Sequence, residues 1–308
     1  MSKLIILSYN ANEYTKLIQQ ADLLDLEIVT DPAECDIVLG EPKKIQEALP
    51  LLPHLKWAQS MYAGVEPLVD PAQRRDYILT NARGVFGELM SEYVFGYLLL
   101  HEKKMLDRIQ SQQEKKWDRT ETGWLHGKTL GLLGVGSIGA HLAGTAKHFG
   151  MKVWGYTKES ETSTQVDRYF HPNGMESDSL LSFAQGLDYL VIVLPRTTDT
   201  NQIVDAKVLN ALPPEAIIVN VGRGNAIDEP ALVEALNQEK IAGAVLDVTD
   251  KEPLPHDHPF WTTPNLLLTF HTSAISYPED ITKLFIENYK LYSEGKTLKA
   301  LVDFEKGY

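Results

Sequence analysis

At 308 residues the chain is long enough for two domains with cores of their own, and its composition, 44% hydrophobic and 23% charged, is that of an ordinary globular protein. The formal charge of −13 is dispersed along the chain and argues against nucleic acid or an anionic membrane as partner, since both favour basic surfaces. The single cysteine, Cys35, excludes an internal disulfide and a cysteine metal cluster, and reads as a small buried side chain.

In chain order, residues 1–8 carry an apolar run too short for a signal peptide and read as a first strand. The longest dense apolar stretch, 93–100, is too short to span a bilayer, so a cytoplasmic protein is expected. Runs at 4–7, 27–29, 37–39 and 56–58 read as strands, with 13–24 helical between the first two, which makes a small α/β domain. Residues 88–117 read as one long helix, apolar on most sides early and charged later, as suits an element at a domain junction. Within it, Lys103, Lys104, Lys115 and Lys116 with Glu102 and Glu114 read as a solvated face.

The most informative stretch follows. Residues 129–133 form an apolar strand that runs into Gly134-Val135-Gly136-Ser137-Ile138-Gly139, and a helix comes next. Gly134 would make the tight turn, Gly136 would let backbone approach a pyrophosphate, and Gly139 would let the helix pack on the strand. The helix start at Ser137 and Ile138 offers N–H groups and a positive dipole end to phosphates. Ile138, Leu142, Ala146 and Phe149 give an apolar stripe, Gly150 stands where a C-terminal cap belongs, and 151–156 reads as the strand completing a βαβ unit.

Apolar runs at 189–193, 217–221, 244–248 and 266–270 read as further parallel strands, alternating with helical segments such as 229–238. A last helical segment, 280–294, could return to the first domain. The fold expected is therefore α/β: two Rossmann-like or flavodoxin-like domains with parallel sheets and a cleft between them. Residues 1–95 plus 280–308 would form the substrate domain, and 96–279 the NAD(P)-binding one.

Ligands of open parallel sheets bind beyond the carboxyl ends of the strands. Arg223 follows the second of the later runs, Glu252 the third and His271 the fourth. Taken singly, they could be a surface ion pair, a solvated loop residue and a buried histidine. Together, beside a dinucleotide fingerprint, they supply a clamp for a carboxylate, a carboxylate that raises an imidazole pKa, and a proton donor. His256-Asp257-His258 lies in a proline-bracketed loop without a convincing further ligand set, so no metal site is expected.

At these residues the sequence resembles the D-isomer-specific 2-hydroxyacid dehydrogenase family over nearly the whole chain. The resemblance is carried by the glycine motif at 134–139, then Leu194-Pro195-Arg196-Thr197-Thr198-Asp199-Thr200, then Asn220-Val221-Gly222-Arg223-Gly224. It continues through Leu246-Asp247-Val248 with Glu252-Pro253-Leu254, and ends at His271. It implies a catalytic Arg223, a Glu252 paired with His271, and His271 as proton donor. It also implies that Val221, Gly222, Asp247 and the turn from Leu194 and Pro195 to Thr200 line the nicotinamide half of the cofactor site. Tyr62, Ala63 and Gly64 resemble the loop whose backbone meets the substrate carboxylate, and a homodimer is implied as well.

The sequence departs from the family pattern in three places. Phe270 stands where proline often precedes the histidine, which leaves the His271 backbone less constrained; core packing would account for its ring. No regulatory domain follows the last helix, unlike the long phosphoglycerate dehydrogenases. The ribose position carries Thr157 followed by Lys158, where NAD-preferring members place Asp. A hydroxyl and a cation suit a 2′-phosphate, so NADP(H) is the expected cofactor with NAD(H) possible, and Glu159 could hold the ribose instead. The reaction implied is reduction of a small 2-keto acid to its (R)-2-hydroxy acid. The alternative is a dinucleotide-sensing interaction protein resembling the C-terminal-binding co-repressors, and formate dehydrogenase is less apt because Glu252 stands in place of an amide.

Overall fold

The computed structural model describes residues 1–308 apart from 159, 160, 162, 173 and 176–178. It divides into two compact units, Met1–Phe86 with Ile275–Tyr308, and Gly87–Ala274. The sequence alone suggests divisions at 95 and 280. The opening segment of the first unit ends at Phe86, just ahead of the long apolar helix and shortly after Gly84, which is in the left-handed region at φ +95°.

In the first unit the chain runs through β1 (Ser2–Leu7), α1 (Ala11–Gln20), β2 (Leu26–Ile28), β3 (Ile37–Gly40), α2 (Pro42–Ala48), β4 (Trp57–Ser60), α3 (Glu66–Val69) and β5 (Ile78–Thr80). These strands form a parallel sheet in the order β2-β1-β3-β4-β5. β3 and β4 are buried along their whole length; β3 accordingly reads as a continuous apolar run, while β4 buries the polar Gln59 and Ser60. β5 was invisible in the sequence: it is three residues long, lies at the sheet edge and exposes Ile78.

The second unit opens with α4 (Gly87–Glu102) and α5 (Met105–Gln113) in place of the single helix expected over 88–117. The break is at Lys104, whose backbone is left-handed at φ +48°. A lysine there leaves no glycine or proline for a reader to find. Glu102 is not on a solvated face: it is buried, 2.6 Å from Lys128 Nζ, and accepts a short hydrogen bond from Tyr189 OH.

After these helices come β6 (Thr129–Leu133), α6 (Ser137–His148), β7 (Lys152–Tyr156), β8 (Arg168–Phe170), α7 (Leu180–Ala184), β9 (Tyr189–Ile192), α8 (Ala206–Ala211), β10 (Ile217–Asn220), α9 (Glu229–Asn237), β11 (Gly243–Leu246) and β12 (Leu266–Leu268). They form a parallel sheet in the order β12-β11-β10-β9-β6-β7-β8. The strand order reverses between β6 and β9, the switch point at which such sheets bind ligands. α6 buries Leu142 and Ala146 against the sheet and α4, while Phe149 stays partly exposed and stacks on Phe95.

The chain then returns to the first unit through α10 (Pro278–Ser293), which packs on α1. Phe285 of α10 stacks on Trp57 with ring centroids 5.2 Å apart. Asn288, fully buried, donates to Gln59 Oε1 and accepts from Lys299 N–H, so the return is fixed by polar contacts as well as packing.

Candidate active site

The glycine motif has the geometry its spacing predicts. Gly134 turns the chain after β6 at φ +101°. A side chain at Gly139 would place Cβ 2.4 Å from Gly134 O, so this glycine is what lets α6 start against the strand. A Cβ at Gly136 would meet nothing within 4 Å. Gly136 is the N-cap of α6 and provides no side-chain cap, which leaves the helix N-terminus at Ser137 and Ile138 for an anion in that open space.

Thr157 follows β7 and is buried, its N–H bound to Phe170 O and its carbonyl accepting from His171 Nδ1. Lys158 is exposed and reaches across to the 194–200 turn, with Nζ 2.9 Å from Asp199 Oδ2. Glu159 lies outside the described residues. The turn itself is braced by Thr200, whose hydroxyl donates to Pro195 O and accepts from Thr197 N–H. Leu194 lies so close to Gly222 that a Cβ on the latter would come 2.7 Å from Leu194 N and O.

Arg223 follows β10 and is held by a residue whose role was not read from the sequence. Asn220 is fully buried, its side chain accepting from Gly222 N–H and donating to Arg223 O at 3.0 Å each. An asparagine that bonds backbone two and three residues on is a known turn-former, and that was the available signal. Gly224 is obligatory for close packing, since a Cβ there would sit 1.8 Å from Thr249 C. The Thr249 N–H in turn donates to Glu252 Oε1 at 3.0 Å.

Glu252 Oε2 lies 2.7 Å from His271 Nδ1. The hydrogen bond to Glu252 raises the His271 pKa; burial and Arg223 pull it down, and the charges of Glu252 and Asp247 push it up, with a net rise. Burial pushes the Glu252 carboxyl up, but the His271 and Thr249 hydrogen bonds and the His271 and Arg223 charges outweigh it and hold it below the usual range. A carboxylate only accepts, so Nδ1 carries the hydrogen and Nε2 is left to exchange a proton. The imidazole side chain is 53% exposed, within reach of a small ligand.

The Phe270 ring is not core. It is 63% exposed and stacks on Trp261 at 5.8 Å. Phe270 and His271 both have φ +57°, a value the ring of proline forbids. The His271 backbone is nonetheless tightly held, because its N–H donates to Asp247 O at 2.6 Å.

In the first unit, Tyr62, Ala63 and Gly64 follow β4. Their loop is fixed by Ser60 Oγ and Ala82 N–H on the Tyr62 carbonyl and by Asn81 Nδ2 on that of Ala63. His258 pairs with Glu229 at 3.2 Å, and no group of three or more possible metal ligands occurs among the described residues. No helix among them is long and apolar enough to cross a membrane.

Residues 95–273 match the model for the NAD-binding domain of D-isomer-specific 2-hydroxyacid dehydrogenases. The chain is 32% identical to the glyoxylate/hydroxypyruvate reductase A of Yersinia enterocolitica over 91% of its own length and 89% of the relative's. Among solved structures, a D-isomer-specific 2-hydroxyacid dehydrogenase family protein from Aeromonas salmonicida is 40% identical, covering 98% of this chain and 99% of that one with a TM-score of 0.90. Another from Xanthobacter autotrophicus Py2, solved with NADPH and MES, is 29% identical, covering 100% and 99% with a TM-score of 0.89.

Proposed function

The chain belongs to the D-isomer-specific 2-hydroxyacid dehydrogenase family, and on that premise we propose that it reduces a 2-keto acid to the (R)-2-hydroxy acid with NADPH. It is an oxidoreductase dependent on NAD(P)H, and its relatives do not favour a co-repressor-like role. The observation that carries the reading is the His271–Glu252 pair, coupled electrostatically to Arg223, at the carboxyl ends of the same sheet that presents the glycine cradle.

The residues present fit a dinucleotide. Gly134 and Gly139 form the turn, Gly136 leaves a space that a side chain would enter, and the α6 N-terminus faces it uncapped. Ser137 and Ile138 would hold the pyrophosphate, Thr157 and Lys158 the adenosine ribose and its 2′-phosphate. Leu194, Pro195, Thr200, Val221, Gly222 and Asp247 would line the nicotinamide. When bound, the cofactor supplies a hydride to the carbonyl carbon. Arg223 clamps the substrate carboxylate and polarises the carbonyl, and His271 Nε2 delivers the proton to the developing alkoxide while Glu252 stabilises the imidazolium. On the family resemblance, Tyr62, Ala63 and Gly64 form the loop whose backbone N–H groups meet a substrate carboxylate.

Glyoxylate and hydroxypyruvate are the first substrates to try, because the reductase relative is named for them. A panel of 2-keto acids assayed with NADPH and NADH tests the proposal; consumption of neither cofactor with any acid would end it. A homodimer is part of the same reading. It is supported by apolar side chains exposed on and after α5, namely Met105, Leu106, Ile109, Trp117 and Trp124, and is tested by light scattering at micromolar concentration. A cytoplasmic location completes the reading and is checked by cell fractionation.

A further inference from the structure

The turn that carries His271 is organised around one buried carboxylate. Asp247, 2% exposed, accepts from Thr269 Oγ1 (2.7 Å) and Thr272 N–H (2.8 Å) on Oδ1 and from Ser273 N–H (3.1 Å) on Oδ2. Its backbone carbonyl takes the His271 N–H. Of the residues from 269 to 273, only Phe270 is left out of this set. Between the anchors, Phe270 and His271 both hold the left-handed backbone, which non-glycine residues adopt only when their surroundings impose it.

Thr269 has a second partner, the Tyr93 hydroxyl of α4, at short distance. The direction of that bond follows from valence. A carboxylate only accepts, so the one hydroxyl proton of Thr269 goes to Asp247, and Tyr93 must donate to Thr269. Burial raises the Tyr93 pKa, so the phenol keeps its proton at any physiological pH. A chain of donors thus runs from α4 to Asp247, fixing the carboxylate that anchors the His271 turn.

We propose that Tyr93 and Thr269 are positioning residues: by orienting Asp247 they impose the left-handed turn that aims His271 Nδ1 at Glu252 and leaves Nε2 to the substrate. Neither touches Glu252 or the imidazole through any hydrogen bond described above; they act through Asp247. The inference rests on His271 as the proton donor.

The test uses Thr269→Val, which keeps shape and removes the hydroxyl, Thr269→Ser, which restores it, and Tyr93→Phe, with His271→Ala as reference. Three quantities are measured on the full chain: kcat for glyoxylate and hydroxypyruvate, the NADPH Kd by fluorescence titration, and the His271 pKa by NMR of histidine-labelled protein saturated with NADP+. The last needs no turnover. The charged groups acting on the imidazole are Glu252, Arg223 and Asp247, and all three are retained in the Thr269 and Tyr93 variants.

Thr269→Val should lower kcat roughly ten- to a hundredfold, as expected for a reacting group displaced by about an ångström, with the NADPH Kd little changed. Its His271 pKa should fall toward the ordinary value as the imidazole leaves Glu252. Thr269→Ser should recover both properties, and Tyr93→Phe should show the same changes in smaller measure. A wild-type kcat and unshifted His271 titration in both Thr269→Val and Tyr93→Phe, beside an inactive His271→Ala, would overturn the relay while leaving the reaction intact. Equal loss in Thr269→Ser would also overturn it. Activity retained in His271→Ala would instead overturn the reading beneath it. If Thr269→Val does not fold, Tyr93→Phe decides by the same two readouts.

Discussion

His271 and Glu252, 19 residues apart in sequence and carried on the loops after β12 and β11, share a 2.7 Å Nδ1–Oε2 hydrogen bond. The pairing favours the imidazolium and the carboxylate together, and each pKa moves accordingly, His271 up and Glu252 down. The pair is therefore ionic across the interval between the two values.

Reduction consumes the imidazolium, so its rate should fall as pH rises through the raised His271 pKa. Oxidation of the hydroxy acid needs the neutral imidazole and should rise over the same range. Glu252→Gln removes the anion that supports the imidazolium, and the fall in reduction should move to lower pH. Profiles of kcat/KM against pH for wild type and Glu252→Gln check this; coincident profiles would dissociate the two residues.

Arg223→Ala should damage both KM and kcat for the keto acid if, as proposed, one guanidinium binds the carboxylate and polarises the carbonyl. A charge-assisted contact contributes about 1.5–3 kcal/mol, on the order of ten- to a hundredfold. Arg223→Lys should recover little of it, since an ammonium lacks the planar fork. Steady-state kinetics with saturating NADPH separate the two parameters.

On the proposed function the cofactor preference turns on Lys158, which in this structure pairs with Asp199. Both side chains are well exposed, so the pair is weak and a 2′-phosphate can compete for the lysine. Asp199→Asn should raise affinity for NADPH but not for NADH, and Lys158→Ala should lower it for NADPH alone. Thr157→Asp should tilt the balance toward NADH. Calorimetric titration with 2′,5′-ADP and with 5′-ADP reads the phosphate contact directly, and added salt should weaken it.

Two glycines make opposite predictions. Gly136→Ala places its methyl in open space and should leave thermal stability nearly unchanged while reducing dinucleotide affinity. Gly224→Ala drives Cβ into the Thr249 backbone, beside the N–H that holds Glu252, and should lower both stability and kcat. Thermal unfolding and cofactor titration of the two variants compare these outcomes.

The parts of the fold legible in the sequence were those with a strong local signature. β6, β9, β10 and β11 are largely apolar runs, and the glycines of 134–139 stand between an apolar strand and an amphipathic helix, the context that gives their spacing its meaning. β5 and β8 were not read from the sequence, and the α4–α5 break was missed because Lys104 takes a backbone shape usually left to glycine. In the site, Arg223, Glu252 and His271 could be picked out by their position after strands. Thr269 and Tyr93 could not, since their roles depend on a contact between residues 176 positions apart that only the fold brings together, whereas Asn220 left only the local signal of a turn-former bonding backbone two and three residues on. Core packing would have accounted for the Phe270 ring, yet it lies exposed against Trp261.

The most direct test of the account compares keto-acid-dependent NADPH oxidation by the wild-type protein and by His271→Ala, with the cofactor Kd measured for both. The account predicts turnover of a 2-keto acid by the wild type, a fall on the order of 10²–10⁴ in kcat for the variant, and nearly equal cofactor affinity. Near-wild-type kcat/KM in His271→Ala would contradict it.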